Sequence, residues 1–283
     1  MILAMAAFAV ADSMVKSAVG QISPGQVMFV LIGGGLVFFS IITKLQGEPF
    51  WDVRVVQPVF LLRYMSEAGG MIGMISALTS VPLSTVGAVL QATPLIVALG
   101  AVLFLGEKVS WRRWSAIAMG FVGVLLIIRP TSQGFDSAVL WAVLSMFCLS
   151  VRDLTTRKIP SDISSARLGA YTLAATLPVS LIWIYFSSDG LLPADPDWLM
   201  LLAMTLLGSA GYLLLITSLR SGDISTIAPF RYARLIFLLI LGVIVFDERP
   251  DATMLIGAMI IVVSGLYMMW RERVVAKAGA PRS

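Results

Sequence analysis

The 283-residue sequence is 58% apolar and only 13% charged, with a mean hydropathy of +0.93. Too little polar surface remains to cover a water-soluble globule, so lipid is the expected solvent and an all-α membrane protein the expected fold class. The net charge of +4 lies in short basic clusters between apolar runs, which argues against nucleic acid as a partner. With no histidine and Cys148 as the lone cysteine, internal disulfides, histidine metal sites and histidine-based catalysis are excluded.

A helix needs roughly 20 mostly apolar residues to cross a hydrocarbon core. Ten windows meet this, at 2–19, 24–43, 59–78, 83–105, 114–128, 138–154, 168–186, 198–219, 225–246 and 253–270. The first opens without a basic stretch or a cleavage site, so it reads as a helix and not a cleaved signal. Ser23-Pro24-Gly25, Val81-Pro82 and Ser221-Gly222-Asp223 mark turns between windows. Pro94 and Pro229 fall inside the fourth and ninth windows, where a kink would free backbone carbonyls, and both are hinge candidates.

A cytoplasmic N-terminus leaves only Lys16, Arg129 and Arg249 outside. It gathers Lys44, Arg54, Lys108, Arg112, Arg113, Arg157, Lys158, Arg220 and the basic tail inside. That asymmetry predicts an inner-membrane protein with both termini in the cytoplasm.

Shifting the sequence by 141 residues, about half its length, superposes the halves 1–134 and 135–283 without a gap. Rare polar residues coincide: Asp12 with Asp153, Lys16 with Arg157, Gly70 with Gly211, Ser84-Thr85 with Ser225-Thr226, and Glu107 with Glu248. Five spans per half is an odd number, so the second copy is expected to be inverted relative to the first. Secondary transporters use this plan, with a substrate site near the midplane between the halves.

The segments VPLSTVGAVLQATPLIVALGAVLFLGEKVSW and GDISTIAPFRYARLIFLLILGVIVFDERPD resemble the paired EamA repeats of the drug/metabolite transporter superfamily. The resemblance covers nearly the whole chain. Its most specific element is a helix ending in FLGEK or FDERP, followed by a short link and a Gly-rich last helix. It implies a ten-helix carrier for amino acids, vitamins, nucleoside-like cofactors or drugs, working without nucleotide hydrolysis. The APFRYARL segment is similar to a bacterial branch that includes proposed S-adenosylmethionine and riboflavin carriers.

Intramembrane charge costs at least about 2.5–3.5 kcal/mol and needs a partner or a wet cavity. The third window carries Arg63, Tyr64 and Glu67, and the ninth carries Arg231, Tyr232 and Arg234. At about 1.5 Å per residue, Glu67 and Arg234 lie at similar depth near the midplane, which predicts that Glu67 pairs with Arg234 or Arg231. Such a pair is either a substrate site or a clamp between the halves. Asp12 is a candidate proton-coupling site or, alternatively, the partner of Lys16 one turn on. Arg152 and Asp153 are expected at the cytoplasmic interface, and Glu107 and Glu248 at neighbouring helix N-termini as caps. Trp141 and Phe230 are aromatic candidates, while Tyr64, Tyr212 and Tyr232 combine depth with a hydroxyl that needs a partner. Gln91, which meets Tyr232 under the shift, completes the candidate substrate-binding set of Glu67, Arg231, Arg234, Tyr64, Arg63, Gln91, Tyr212 and Tyr232.

The expected function is secondary transport of a small organic metabolite by alternating access, with no cofactor or metal and with lipid around a monomer or homodimer. A passive channel or scramblase is the alternative. An intramembrane enzyme at the GSAG of Gly208–Gly211 lacks a plausible base.

Overall fold

A computed structural model describes residues 1–50, 52–105, 111–129, 136–187, 190–193, 196–221 and 228–279, and among them there is no strand. The helices are α1 (Ile2–Ala18), α2 (Pro24–Leu45), α3 (Pro58–Ser80), α4 (Leu83–Leu90), α5 (Thr93–Leu105), α6 (Trp111–Ile128), α7 (Val139–Thr156), α8 (Ser165–Ser187), α9 (Trp198–Ser221), α10 (Ala233–Phe246) and α11 (Ala252–Gly279). Short 3-10 helices occupy Val53–Val56 and Ala228–Tyr232. Every predicted window has its helix, with α4 and α5 sharing the fourth. Among the described residues six helical stretches are long and apolar enough to cross a membrane: α2, α4 running into α5, α7, α8, α9 and the first part of α11. Of the others, α1 and α3 carry the charges Asp12, Lys16, Arg63 and Glu67.

Local chemistry sets the boundaries. Ser23 caps α2 through a reciprocal pair with Gln26, and Pro24 sits in the first turn, where its missing N–H costs nothing. Pro58 opens α3 in the same way. The α4–α5 break falls at Gln91-Ala92, so Pro94 lies in the first turn of α5. Pro229 lies in the 3-10 helix before α10. Under the 141-residue shift, Gln91-Ala92 falls on Tyr232-Ala233, the junction of that 3-10 helix with α10.

Side chains turned outward are apolar, among them Ile41, Leu61, Ile182, Leu199, Ile244 and Met259. That surface suits lipid. Inside, helices approach closely where glycine removes the side chain. A Cβ on Gly73 of α3 would lie 2.7 Å from the Trp141 carbonyl of α7, and Gly123 of α6 and Gly257 of α11 each face the other's carbonyl at 2.7 Å.

The packing repeats under the same shift. Helix α3 lies on α7 as α9 lies on α1, α5 on α7 as α10 on α1, and α3 on α8 as α9 on α2. The pairs α2–α8 and α6–α11 are their own counterparts.

Ionic contacts tie one face together. Arg54, in the α2–α3 loop, bonds Asp52 at 2.7 Å and Asp162 of the α7–α8 loop at 2.6 Å, while Arg167 reaches Asp52 at 2.9 Å. Arg220 donates to the carbonyl of Pro160 at 2.8 Å and to that of Ile163 at 2.5 Å. At the opposite face Gln26, the counterpart of Arg167, donates its side-chain N–H to the Gly190 carbonyl at 2.7 Å, a neutral bond, and Arg129 pairs with Asp251.

Glu248 caps α4, accepting from the Leu83 and Ser84 amides at 2.5 and 2.9 Å and from Ser84 Oγ at 2.6 Å. This is the capping role expected of it. Glu107 lies outside the described residues.

Candidate functional site

A cavity of about 170 Å³ lies where α1, α3, α7, α9 and the two interrupted segments converge. Its charged lining is Asp12, Glu67, Arg152, Arg231 and Arg234, joined by Gln91, Tyr212, Phe8 and Phe39. Much of this lining is paired by the 141-residue shift: Phe8 with Leu149, Ala11 with Arg152, Glu67 with Gly208, Met71 with Tyr212, Leu90 with Arg231, and Thr93 with Arg234. Positions are symmetric but chemistry is not. All three lining arginines come from the second half and both lining acids from the first.

The charges are knitted together. Tyr212 donates to Glu67 Oε2 at 2.5 Å, and Arg152 Nη1 stands 3.4 Å from Glu67 Oε1. Arg152 also donates through Nε and Nη2 to Asp153 Oδ1, at 3.0 and 2.8 Å. The other Asp153 oxygen accepts from Arg231 at 2.6 Å. Arg234 holds Asp12 through Nε at 3.1 Å and through Nη2, and lies 5.1 Å from the Phe8 ring centroid. Arg63, fully buried, donates to Thr156 at 3.0 Å, to Thr172, and to Tyr212 Oη at 3.1 Å. Its charge also lies 6.0 Å from the Tyr212 ring centroid, and that of Arg152 lies 5.6 Å away. Tyr212 thereby links two cations to one carboxylate.

Several sequence expectations are corrected. Glu67 does not pair with Arg234 or Arg231. Equal depth is not proximity, because α3 packs on α7 while α10 packs on α1, so Glu67 meets Arg152 and Arg234 meets Asp12. Arg152 and Asp153 are not interfacial but buried, at 6% and 0% exposure, since α3 and neighbouring helices cover the end of α7 that a residue count along one helix places near the headgroups. Asp12 does not pair with Lys16, whose long side chain runs to the Val81 carbonyl at 2.7 Å and toward Glu248 at 3.9 Å. Counted alone, the third and ninth windows hold one acid, Glu67, against Arg63, Arg231 and Arg234, and neighbouring helices nearly cancel that excess. Asp12 and Asp153 answer Arg234 and Arg231, and Glu67 answers Arg152.

Of the candidate residues, Glu67, Arg231, Arg234, Gln91, Tyr212 and Asp12 border the cavity. Arg63 stands behind Tyr212. Tyr64 packs beside Phe60, with ring centroids 6.3 Å apart, and the Tyr232 hydroxyl points at Gly265 of α11, so neither reaches the cavity. Trp141 and Phe230 are largely exposed on the outer surface. Phe8 and Phe39 escape the sequence reading, and Arg152, which it places at the interface, borders the cavity instead, although the coincidence of Asp12 with Asp153 marks its segment.

Fold and cavity define a polytopic, all-helical membrane protein with a charged central chamber. The EamA-like transporter family model matches residues 1–129 and 136–270, and the chain belongs to that family. It is 30% identical over 248 residues to an S-adenosylmethionine uptake transporter of Rickettsia conorii, covering 83% of this chain and 81% of that protein. It is 26% identical to a riboflavin transporter of Rhizobium johnstonii, covering 75% and 70% of the two chains. A pseudopaline exporter of Pseudomonas aeruginosa is 25% identical, with 93% and 92% covered. A solved crystal structure shares the fold with a TM-score of 0.68 at 20% identity, covering 96% of this chain and 97% of that one.

Proposed function

We propose that this protein is a secondary carrier of a small organic metabolite bearing both acidic and basic groups, in the range of amino-acid-like solutes, S-adenosylmethionine and riboflavin. The single observation that carries the reading is the buried lattice of Glu67, Arg152, Asp153, Arg231, Asp12 and Arg234 around a cavity between the halves. An ionic lattice that is already paired can exchange partners with a zwitterion without stranding a charge in a low-dielectric site. Alternating access follows if the halves 1–134 and 135–283 are inverted repeats that rock about the cavity, with the breaks beside Pro94 and after Pro229 as hinges. The exchange of helix partners under the 141-residue shift supports that arrangement. The excess of basic residues in alternate loops supports an inner-membrane location with both termini cytoplasmic. Asp12, held by Arg234, is the proton-coupling candidate.

Proteoliposomes test the proposal. Uptake and counterflow of S-adenosylmethionine, riboflavin and a set of amino acids should reveal at least one saturable, exchangeable solute. Glu67→Gln and Arg234→Gln should abolish its flux while leaving folded protein in the membrane. Unsaturable flux without counterflow would show a channel, and undiminished flux in both variants would remove the lattice from the mechanism.

A further inference from the structure

Every charged group bordering the cavity has a partner, but Gln91 does not. It is 5% exposed, and its Nε2 is buried without a hydrogen-bond partner among the described residues. The carboxamide oxygen is not among the buried unpaired atoms, so it is the nitrogen end that lacks a partner. The backbone is committed elsewhere: the Gln91 N–H caps α4, donating to the Gly87 and Ala88 carbonyls at 3.3 and 3.2 Å. An unpaired buried amide is a standing destabilisation, and it survives where something other than the protein completes it.

Its place in the repeat sharpens the reading. Leu90, Gln91 and Thr93 are the counterparts of Arg231, Tyr232 and Arg234. The second half thus presents two guanidiniums at its break, both held by aspartates, where the first presents one uncharged carboxamide. A carboxamide sets an acceptor beside a donor. That pair matches a flat edge that itself sets a donor beside an acceptor, as when glutamine or asparagine reads an adenine edge. The imide edge of a flavin has the same pattern. Ammonium and carboxylate groups are better served by the charged lattice.

We infer that Gln91 is the specificity-determining residue of the cavity and reads the neutral donor–acceptor edge of a nitrogen heterocycle, while the lattice holds the solute's charged part. This rests on the carrier reading above. The test is thermal melting of the purified, detergent-solubilised protein. S-adenosylmethionine and riboflavin serve as probes with such an edge, methionine and glutamate as probes without one. Gln91→Met should raise the melting temperature of the empty protein by about 2 °C or more, because it retires the unpaired amide. The same change should weaken whichever ring-bearing probe stabilises the wild type by about tenfold or more. Gln91→Glu keeps the size, loses the donors and should weaken that probe as well.

A lower melting temperature for empty Gln91→Met would make the amide structural and overturn the inference. So would unchanged affinity for the ring-bearing probe in both variants. Stabilisation of the wild type by methionine or glutamate but by neither ring-bearing probe overturns the role of Gln91 and leaves the carrier standing. Stabilisation by none of the four overturns it too, and the flux measurements then decide the carrier reading separately.

Discussion

Replacing Asp12 with asparagine strands Arg234. The two side chains are 11% and 17% exposed, so they lie far closer to the buried limit than to a surface pair. Surface pairs contribute about 0.2–1 kcal/mol, whereas removing one member of a buried pair costs about 3–5 kcal/mol because the remaining charge is left without its partner. The residual exposure and the Phe8 ring beneath Arg234 relieve part of this, giving about 2–4 kcal/mol for Asp12→Asn. For a chain of this size that is roughly 5–15 °C in melting temperature. Arg234→Gln should cost a similar amount for the mirror-image reason. The double variant leaves no lone charge and should lie about 1–3 kcal/mol above the sum of the singles. The assay is a double-mutant cycle of thermal melting in detergent, run in parallel for Asp12 with Lys16→Gln, where the coupling should stay below about 0.5 kcal/mol. Additive costs for Asp12 with Arg234, or strong coupling of Asp12 to Lys16, would refute the pairing and restore the arrangement expected from helical spacing.

Glu248→Ala should cost about 1–2 kcal/mol, read as a lower melting temperature, because it uncaps the Leu83 and Ser84 amides at the start of α4. Gly123→Ala or Gly257→Ala sets a methyl 2.7 Å from a carbonyl of the facing backbone, which cannot swing aside. Each should cost about 1–3 kcal/mol and lower the yield of folded protein, whereas Gly33→Ala, with nothing within 4 Å, should be neutral or nearly so. Hydrogen bonds from Arg54 hold the Asp52 carboxyl well below the usual carboxylate range, and Asp162 is lowered by the same guanidinium. A depressed carboxylate contributes while ionised and stops contributing as pH falls through its folded-state value. Proteolysis of the α2–α3 loop should therefore be flat from pH 8 to about 5 and rise only in stronger acid; a rise near pH 6 would contradict the pairing.

The helices are legible because hydropathy is a one-dimensional property: each of the ten windows has a helix, although the fourth is divided at Gln91-Ala92, α10 begins only at Ala233 and α11 runs on to Gly279. The gapless shift was legible for the same reason, since rare charges recurred at a fixed spacing. Side-chain partnership was not. Depth along a helix can be counted from sequence, but the direction a residue faces depends on which helix packs beside it, and Glu67 shows the cost of omitting it. Asp153 shows a second limit. Nearness to a helix end suggests exposure, yet packing against a neighbouring helix buries it completely. The repeat partner of Gln91 flags it, while the missing hydrogen bond of its carboxamide nitrogen is a property of three-dimensional surroundings alone.

The two faces of the molecule differ in what ties α2 to α8. At the α2–α8 contact one face is bound by guanidiniums and carboxylates of Arg54, Asp52, Asp162 and Arg167, and the other, at the matching place, by the neutral amide of Gln26, with the Arg129–Asp251 pair elsewhere on that face. Salt screens the first kind of contact and hardly touches the second. The central chamber therefore lies between two helix contacts that differ in their sensitivity to salt. Under the alternating-access proposal, raising the ionic strength should weaken the Arg54–Asp162 tie and leave the Gln26 bond, so that salt on one side, and not the binding site alone, shifts how long the chamber opens each way.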